Sequence, residues 1–366
     1  MTDLLIAPEN YISGYDIIDE LGAKVKKIAK KVLVLSDEKV YKIVEKGLNS
    51  LENSEIIYTK EYFNGECCFT EIDRISNILK ENGYDAIVGI GGGKILDTVK
   101  TAGYKAGVKI ITVPTIAATC AAWSSHSAIY TDDGISYEYF NIHKNADLLF
   151  LDKKIVFEAP VRYIKAGILD TLAKWVETKS STLNLENKNV ATEIAIYLAK
   201  KTYKDMFEFS KIALENIEKK EYTKDIDIVI EDIIFTAGLV GGIGGEACRA
   251  VAAHAINNGF TIYPDTYNKN LHGEVVGFGN VVQMIMDKRD NKEINDLVKL
   301  YKEIEADVSL KGMGFEDLSD IMLEKIVNKS LYKGDTIWNA PYKVEFEMVK
   351  EAILKANEII LKGEYK

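Results

Sequence analysis

The feature that most constrains the fold is a glycine turn that joins an apolar run to a helical pattern within residues 86–100, AIVGIGGGKILDTVK. The run AIV is short and rich in β-branched residues, as expected of a strand buried on both faces. Gly91, Gly92 and Gly93 follow it, and a helical pattern resumes at Lys94. A strand, a glycine turn and a helix N-terminus in this order predict an anion site, because the first N–H groups of a helix have no intrahelical partner.

Neither standard phosphate motif fits this turn. A P-loop would need glycine at position 88 and Ser or Thr at position 95, where the chain has Val88 and Ile95. The dinucleotide pattern G-x-G-x-x-G is met at Gly89 and Gly91, but Lys94 occupies its third glycine position. The turn therefore predicts pyrophosphate binding without identifying the ligand. A glycine turn that binds nothing is the alternative.

Other apolar runs predict further strands that alternate with helices. The predicted strands are residues 31–36, 54–59, 108–113 and 148–151, and the predicted helices run from the first strand through Lys46 with a stop at Gly47, and over 71–82. This alternation predicts parallel βαβ units in a doubly wound sheet, Rossmann-like in type, with ligands beyond the carboxyl ends of the strands. Asp37, Gly91 and Thr115 would then meet at one edge of the sheet.

After Pro160 the pattern becomes helical throughout. The predicted helices are 161–180, 189–209, 225–240, 247–258, 295–305, 317–333 and 344–361. We therefore expect two domains, an α/β nucleotide-binding domain over 1–160 and an all-α domain over 161–366.

Composition excludes several classes of protein. The chain of 366 residues carries a net charge of −10 and has no basic block, which argues against nucleic acid as a partner. It has no apolar run of the roughly 18 residues that span a bilayer. The start MTDLLIAPENY lacks the features of an export signal. Four cysteines without a spaced framework predict reduced thiols, and we expect a cytoplasmic protein.

Asp37 follows the first predicted strand, where a carboxylate can accept hydrogen bonds from ribose hydroxyls and repel a 2′-phosphate. This position favours NAD over NADP. A surface aspartate in a turn is the alternative.

Asp170, His254 and His272 form a candidate metal site. Asp170 lies in an apolar helical segment, where a bare carboxylate is costly, and His254 lies among small residues. One carboxylate and two imidazoles suit a catalytic divalent cation with open positions. For each residue taken alone, a hydrogen-bonded core histidine or a helix-capping aspartate is the commoner case.

Five motifs together carry a family resemblance. GIGGGKILD, VPTIAATCAAWS, APVRYIKAGILDTLAKW, AAHAINNGF and LHGEVVGFG resemble the glycerol dehydrogenase branch of the iron-containing (group III) alcohol dehydrogenases, over about residues 10–360. The resemblance implies a dehydroquinate synthase-like architecture with a cleft between its domains. It also implies NAD or NADP, a divalent metal (zinc favoured, iron possible) and a homo-oligomer.

The resemblance assigns roles to individual residues. It implies metal ligation and catalysis by Asp170, His254 and His272, and ribose binding by Asp37. The remaining cofactor-binding positions that it implies are Gly91, Gly92, Gly93, Lys94, Thr115, Thr119, Ser124 and Tyr130.

Three positions depart from the family pattern. Lys174 stands where iron-dependent relatives have a fourth ligand, a histidine, so a three-ligand site is expected. Asn257 replaces the second histidine of H-x-x-H-N-G, which puts a proton relay at that position in doubt. Cys120 replaces an aspartate that accepts hydrogen bonds from substrate hydroxyls in glycerol dehydrogenases, and a thiol is a weak donor and acceptor.

With Cys120 at this position, the local sequence motif resembles that of hydroxycarboxylate dehydrogenases, which act on 2-oxo and 2-hydroxy acids. Arg249 or Arg162 would then supply a counter-charge, and Trp123 is a candidate for the floor of the substrate pocket. Surface ion pairs and core packing are the alternatives for these residues.

We therefore expect a metal-dependent NAD(P)-linked alcohol dehydrogenase of the glycerol dehydrogenase type, acting on a small secondary alcohol or polyol. A 2-hydroxycarboxylate dehydrogenase is the first alternative. A dehydroquinate synthase-like lyase and a nucleotide-binding module without activity are the others.

Overall fold

The computed structural model describes residues 4–364, so the outermost residues of the two predicted domains lie outside the described part. The chain divides into two units, Met1–Pro160 and Val161–Lys366. The first unit is built around a β-sheet, and the regular elements described in the second, over residues 161–364, are all helical. The predicted fold class, an α/β part followed by a helical part, is confirmed.

The first unit contains a parallel sheet and a hairpin. Its strands are β1 (Asn10–Gly14), β2 (Lys31–Ser36), β3 (Ile57–Tyr62), β4 (Ala86–Gly91), β5 (Lys109–Pro114), β6 (His126–Tyr130), β7 (Ser136–Asn141) and β8 (Leu148–Asp152). Six of them form the sheet in the order β1-β8-β5-β4-β2-β3, with every pair parallel. The other two, β6 and β7, pair antiparallel.

Helices cover both faces of the sheet. They are α1 (Leu21–Val25), α2 (Glu38–Ile43), α3 (Glu45–Asn53), α4 (Phe69–Glu81), α5 (Gly93–Ala106) and α6 (Lys153–Glu158). Val32 and Val34 of β2 pack in one core with residues of α1 and α3. Leu33 and Leu35 pack in the other core with residues of α4 and α5. Both faces of β2 are apolar for this reason.

The carboxyl ends of β2, β4 and β5 are neighbours. Gly91 pairs in register with Pro114, and the N–H of Thr115 donates to the carbonyl of Gly91 at 3.2 Å. The hydroxyl of Ser36 donates to the carbonyl of Ile90 at 2.6 Å. Parallel pairing thus places the three polar strand ends at one edge of the sheet.

The second unit consists of ten α-helices in its described part, with short 3₁₀ and π segments between some of them. The helices are α7 (Val161–Ser181), α8 (Val190–Glu218), α9 (Lys224–Glu231), α10 (Ala237–Gly244), α11 (Ala252–Phe260), α12 (Pro264–Tyr267), α13 (His272–Met286), α14 (Asn291–Glu303), α15 (Asp320–Ser330) and α16 (Phe346–Lys362). Among the described residues, no helix has the combination of length and hydropathy that crossing a bilayer requires.

Two local predictions in the first unit were wrong. Gly47 lies inside α3 rather than at a helix end. Close packing explains the glycine, since a Cβ there would lie 2.9 Å from Cγ1 of Ile18. The predicted strand 54–59 begins three residues later, because Ser54 caps α3. The strand β1 and the β6–β7 hairpin were not predicted as elements.

The predicted continuous helix 247–258 is also wrong. A 3₁₀ turn, Gly245–Cys248, precedes a break at Arg249 and Val251, and α11 begins at Ala252. The N–H groups of Val251 and Ala252 donate to side chains of other helices, Glu177 and Gln283, at 2.8 and 2.6 Å. Tertiary hydrogen bonds therefore replace the helical ones at this point.

Candidate functional site

Three helices of the second unit bring the predicted metal ligands together. Asp170 lies in the middle of α7, His254 is the third residue of α11, and His272 is the first residue of α13. The Nε2 atoms of His254 and His272 lie 3.5 and 3.4 Å from Oδ1 of Asp170. One donor atom from each residue falls within 4.8 Å of the others. The three residues therefore present their donor atoms to one small volume.

Small residues on α13 allow this approach. A Cβ at Gly273, next to His272, would lie 1.9 Å from the carbonyl oxygen of Ala166 on α7. A Cβ at Gly279 would lie 2.3 Å from the carbonyl oxygen of Ala253, next to His254 on α11. Any side chain at these two positions would push the three ligand-bearing helices apart.

The carboxylate of Asp170 is suited to hold a cation. The residue is 2% exposed, and its Oδ1 is a buried atom without a hydrogen-bond partner in the structure. Burial alone would raise the pKa of Asp170, but the Lys174 ammonium and the two neighbouring imidazoles hold that pKa well below the usual range. An ionised buried carboxylate facing two imidazole nitrogens is a donor set for a divalent cation, so the residues fit the group that the resemblance implies.

Glu177 lies behind His254 and was missed in the sequence analysis. Its Oε2 is 2.7 Å from Nδ1 of His254, and its Oε1 accepts from the N–H groups of Val251 and His254 at 2.8 and 3.1 Å. An ionised carboxylate can only accept, so the proton of His254 lies on Nδ1 and the lone pair of Nε2 faces Asp170. The available signal was spacing, since Glu177 follows Asp170 by seven residues on the same face of one helix.

Glu177 also sets the charge of the imidazole. Burial disfavours the charged form of His254, but the carboxylates of Glu177 and Asp170 raise its pKa to about 9. A cation that binds at Nε2 therefore competes with a proton for the same lone pair, so metal affinity should fall as the pH is lowered.

An ion pair fixes the backbone around His272. Nε and Nη2 of Arg162, at the start of α7, donate to the two carboxylate oxygens of Glu274 at 2.6 Å each. Glu274 Oε2 also accepts from the N–H of Leu271 at 2.8 Å, and Arg162 donates to the carbonyl of Lys269 at 2.8 Å. This bidentate pair joins the first turns of the two helices that carry Asp170 and His272.

Asn257 is fully buried one turn beyond His254. Its Oδ1 accepts from the hydroxyl of Tyr267 at 2.8 Å. The amide thus has a structural partner at the position where the family pattern has a histidine.

The glycine turn lies in the first unit at the end of β4. Gly91 ends the strand, Gly92 caps α5, and Gly93 and Lys94 begin the helix. The ammonium of Lys94 is 2.6 Å from Glu66 and lies 5.5 Å from the ring centre of Tyr130. Gly92 and Gly93 are half-buried and Lys94 is exposed, so the Lys94 ammonium has Glu66 as a partner when no ligand is bound.

The segment after β5 carries the other predicted cofactor and substrate positions. Thr115 is buried, and Thr119 accepts from the N–H of Ala121 at 3.2 Å. A Cβ at Gly93 would lie 3.5 Å from Oγ1 of Thr119, so the segment touches the glycine turn. Cys120 is partly buried and Trp123 fully buried within this unit.

Asp37 and Arg249 have local partners. Oδ1 of Asp37 accepts from the N–H of Val40 at 2.9 Å and caps α2, while the residue as a whole is exposed. Arg249 lies 3.1 Å from Glu246, whose side chain is 85% exposed. Both side chains reach solvent, and Arg162 is already engaged by Glu274.

Comparison with known proteins places the chain. The family model of iron-containing alcohol dehydrogenases matches residues 8–153. Glycerol dehydrogenase from Citrobacter freundii is 34% identical over 364 residues, which cover 98% of each chain. The chain belongs to the iron-containing alcohol dehydrogenase family. It is a glycerol dehydrogenase-type alcohol dehydrogenase of that family, an NAD(P)-dependent oxidoreductase.

The family assignment extends to the whole fold. The crystal structure of glycerol dehydrogenase from Schizosaccharomyces pombe matches with a TM-score of 0.91 at 28% identity, over 99% of this chain and 92% of that one. Hydroxycarboxylate dehydrogenase A from Escherichia coli K12 is 31% identical over 296 residues, 80% of each chain. The hydroxycarboxylate alternative is therefore weaker within this family than the glycerol dehydrogenase type.

Proposed function

We propose that the protein transfers hydride between a small secondary alcohol or polyol and NAD, with a divalent cation held by Asp170, His254 and His272. The buried, unpartnered Oδ1 of Asp170 between two imidazole nitrogens supports this proposal most strongly. Bound there, the cation would lower the pKa of an alcohol hydroxyl and polarise the carbonyl of the product.

The protein's own residues prepare this site. Glu177 keeps a proton on Nδ1 of His254, so that the lone pair of Nε2 stays available to bind the metal. Arg162 and Glu274 hold the first turn of α13 and with it His272. Pre-organised ligands reduce the reorganisation needed when the cation and the alcohol bind.

We propose zinc as the cation. Catalytic zinc commonly takes three protein ligands and leaves a position for water or substrate. The trio supplies three ligands, and Lys174, at the position of the fourth ligand in iron-dependent relatives, is an ammonium rather than an imidazole. Iron is the competing metal, and metal analysis of the purified protein decides between them.

For the first unit we propose cofactor binding at the glycine turn. The start of α5 and Lys94 would meet the pyrophosphate, and Asp37 would meet the ribose, with Thr115, Thr119, Ser124 and Tyr130 toward the nicotinamide. The exposed carboxylate of Asp37 favours NAD, because it would repel the 2′-phosphate of NADP.

Cys120 favours a second class of candidate substrate. A thiol in place of a carboxylate eases entry of an anionic substrate, which favours 2-oxo and 2-hydroxy acids, with Arg249 as the counter-charge and Trp123 as the floor of the pocket. The ion pair of Arg249 with Glu246 is exposed and therefore weak, so it can be exchanged for a substrate carboxylate.

A substrate panel tests the proposal. Metal-stripped protein is re-loaded with zinc or iron and given NADH or NADPH with dihydroxyacetone, 2-oxobutanoate or 2-oxoglutarate, and nicotinamide oxidation is followed by absorbance. We expect turnover of dihydroxyacetone with NADH that a chelator abolishes. Turnover of the oxo acids alone would replace the polyol proposal with the hydroxycarboxylate one, and no turnover with any metal would refute both.

We also propose that the enzyme acts in the cytoplasm as a homo-oligomer. All four cysteines are free in the structure, as expected in a reducing compartment. Light scattering of the purified protein and fractionation of cells that produce it check the two parts of this proposal separately.

A further inference from the structure

A buried lysine connects the helix after the glycine turn to the segment that carries Ser124. Lys100 of α5 is 1% exposed. Its ammonium donates to the carbonyls of Ser124 and His126 at 2.9 Å each, and to Oγ of Ser124 at 3.0 Å. Its fourth neighbour is Oδ1 of Asp97, 2.8 Å away and one helical turn back.

Asp97 adds contacts from the same helix. Its Oδ2 accepts from the N–H of Ala128 at 3.1 Å, and its backbone carbonyl accepts from the hydroxyl of Ser127 at 3.0 Å. Lys100 and Asp97 therefore hold residues 124–128 against α5 through both the backbone groups and the side chains of that segment. These contacts fix the conformation of residues 124–128 relative to α5.

The cost of the arrangement indicates a purpose beyond stability. Burying two charges carries a desolvation penalty, and an apolar pair of similar volume commonly stabilises a fold as well or better. An apolar pair cannot donate to carbonyls, whereas the ammonium of Lys100 offers three N–H groups to the oxygens of one loop.

The segment held in this way belongs to the proposed cofactor site. Ser124 lies at its start and Tyr130 just beyond it, and the ring of Tyr130 lies 5.5 Å from the ammonium of Lys94 in the first turn of α5. One helix thus carries the proposed pyrophosphate contact at its start and the anchor of the nicotinamide-side segment seven residues later.

We propose that Lys100 and Asp97 are positioning residues that fix the segment of Ser124 and Tyr130 for binding of the nicotinamide cofactor. The inference rests on the proposed function in one respect, that the first unit binds the cofactor at the glycine turn. Neither residue is assigned a contact with substrate or with the reacting atoms.

The test uses the full-length, metal-loaded protein with two double variants. K100M/D97N removes the buried pair without leaving one charge alone. The control, K109M/D147N, removes a second Lys–Asp pair of the same unit, with 2.7 Å between Nζ and Oδ1 and with the Lys109 side chain 49% exposed. This pair lies at the start of β5 and therefore at the opposite edge of the sheet from the glycine turn. Two quantities are measured, the Kd for NADH by fluorescence and amide hydrogen exchange over residues 119–130 without cofactor.

We expect K100M/D97N to raise the Kd for NADH about 10-fold, as loss of hydrogen bonds from a charged donor predicts. Exchange over 119–130 should be faster in that variant and unchanged in K109M/D147N, and zinc content should stay at the wild-type level in both. An unchanged Kd, or equal weakening in the two double variants, would overturn the proposal.

Two further measurements distinguish failure of this proposal from misfolding of the variant and from failure of the proposed function. If K100M/D97N does not fold, Ser127→Ala deletes the hydrogen bond from the Ser127 hydroxyl to the backbone carbonyl of Asp97 without removing a charge. This variant should raise both the exchange rate and the Kd to a smaller extent. If the wild-type protein binds neither NADH nor NADPH, the proposed function fails. Unchanged exchange over residues 119–130 in K100M/D97N would instead refute the positioning role of Lys100 and Asp97.

Discussion

Glu177 and His254 form a buried pair in which a carboxylate oxygen lies 2.7 Å from Nδ1 of the imidazole. The same carboxylate accepts from the N–H of Val251, at the break that precedes α11. Glu177 therefore orients the ring of His254 and also holds the backbone on which that ring is mounted. Asp170 and Glu177 lie on one face of α7, so a single helix supplies both a candidate ligand and the support of another.

Replacing Glu177 by Gln should weaken metal binding with little change in fold. Loss of the charge removes the strong acceptor for the Nδ1 proton, and outer partners of this kind commonly contribute about 10–100-fold to metal affinity. Competitive titration of the stripped protein with a zinc indicator measures the change. Glu324→Gln, which breaks an exposed pair with Lys350 in the same unit, should bind zinc as the wild type does; equal affinity in both variants would contradict this role for Glu177.

The Arg162–Glu274 pair should also influence the metal site, through His272. Arg162→Gln and Glu274→Gln should each weaken cobalt binding about 10-fold and alter the visible spectrum of the cobalt-loaded protein. Because the two side chains act as one unit, the double variant should be no worse than either single variant. Additive losses in the double-mutant cycle would show that the two side chains act independently of each other. Cobalt affinities and spectra identical to those of the wild type would show that the pair does not influence the metal site.

Gly273→Ala should disrupt the helix contact that brings the ligands together. A Cβ there would be 1.9 Å from the backbone oxygen of Ala166, which cannot move without displacing α7. We expect a loss of about 3 kcal/mol in the free energy of unfolding. Gly241→Ala on α10 is the matched control, since nothing lies within 4 Å of its added Cβ, and it should stabilise by up to about 1 kcal/mol. Chemical denaturation of both variants gives the comparison, and similar stabilities would contradict it.

Cys120→Asp should shift substrate preference toward polyols. A carboxylate accepts hydrogen bonds from substrate hydroxyls and repels a substrate carboxylate, whereas the thiol does neither well. The ratio of kcat/KM for dihydroxyacetone to that for 2-oxobutanoate should rise about 10-fold. Cys120→Ala controls for loss of the thiol alone. If the ratio is the same in all three proteins, Cys120 does not contact the substrate.

The fold class could be predicted from the sequence because its strongest signals are local. The run at residues 31–36 and the strand–glycine–helix order at 86–100 predict β2, β4 and the start of α5, since apolar period and glycine position are read from neighbours in the chain. Gly47 was misread because a glycine that permits close packing has the same sequence signal as one that ends a helix.

The candidate ligands were also predictable, because a carboxylate and scarce histidines in apolar helices stand out. The residues that orient these ligands and the cofactor segment could not be predicted in the same way. Glu177, Arg162 and Lys100 act through hydrogen bonds to residues 77, 112 and 24 positions away. Only the packing of helices against one another, and of a segment against α5, creates those contacts. A local pattern such as the seven-residue spacing of Asp170 and Glu177 places two side chains on one helix face but does not identify their partners.

The most direct test of the account is a zinc titration of the metal-stripped enzyme with continuous measurement of NADH oxidation by dihydroxyacetone. Asp170, His254 and His272 all offer a donor atom to one site, so turnover should rise to a plateau at one zinc per chain. It should stay at background in His272→Ala at the same zinc levels. Full turnover in the stripped wild-type enzyme, or equal activation of His272→Ala, would contradict the assignment of this trio as the catalytic metal site.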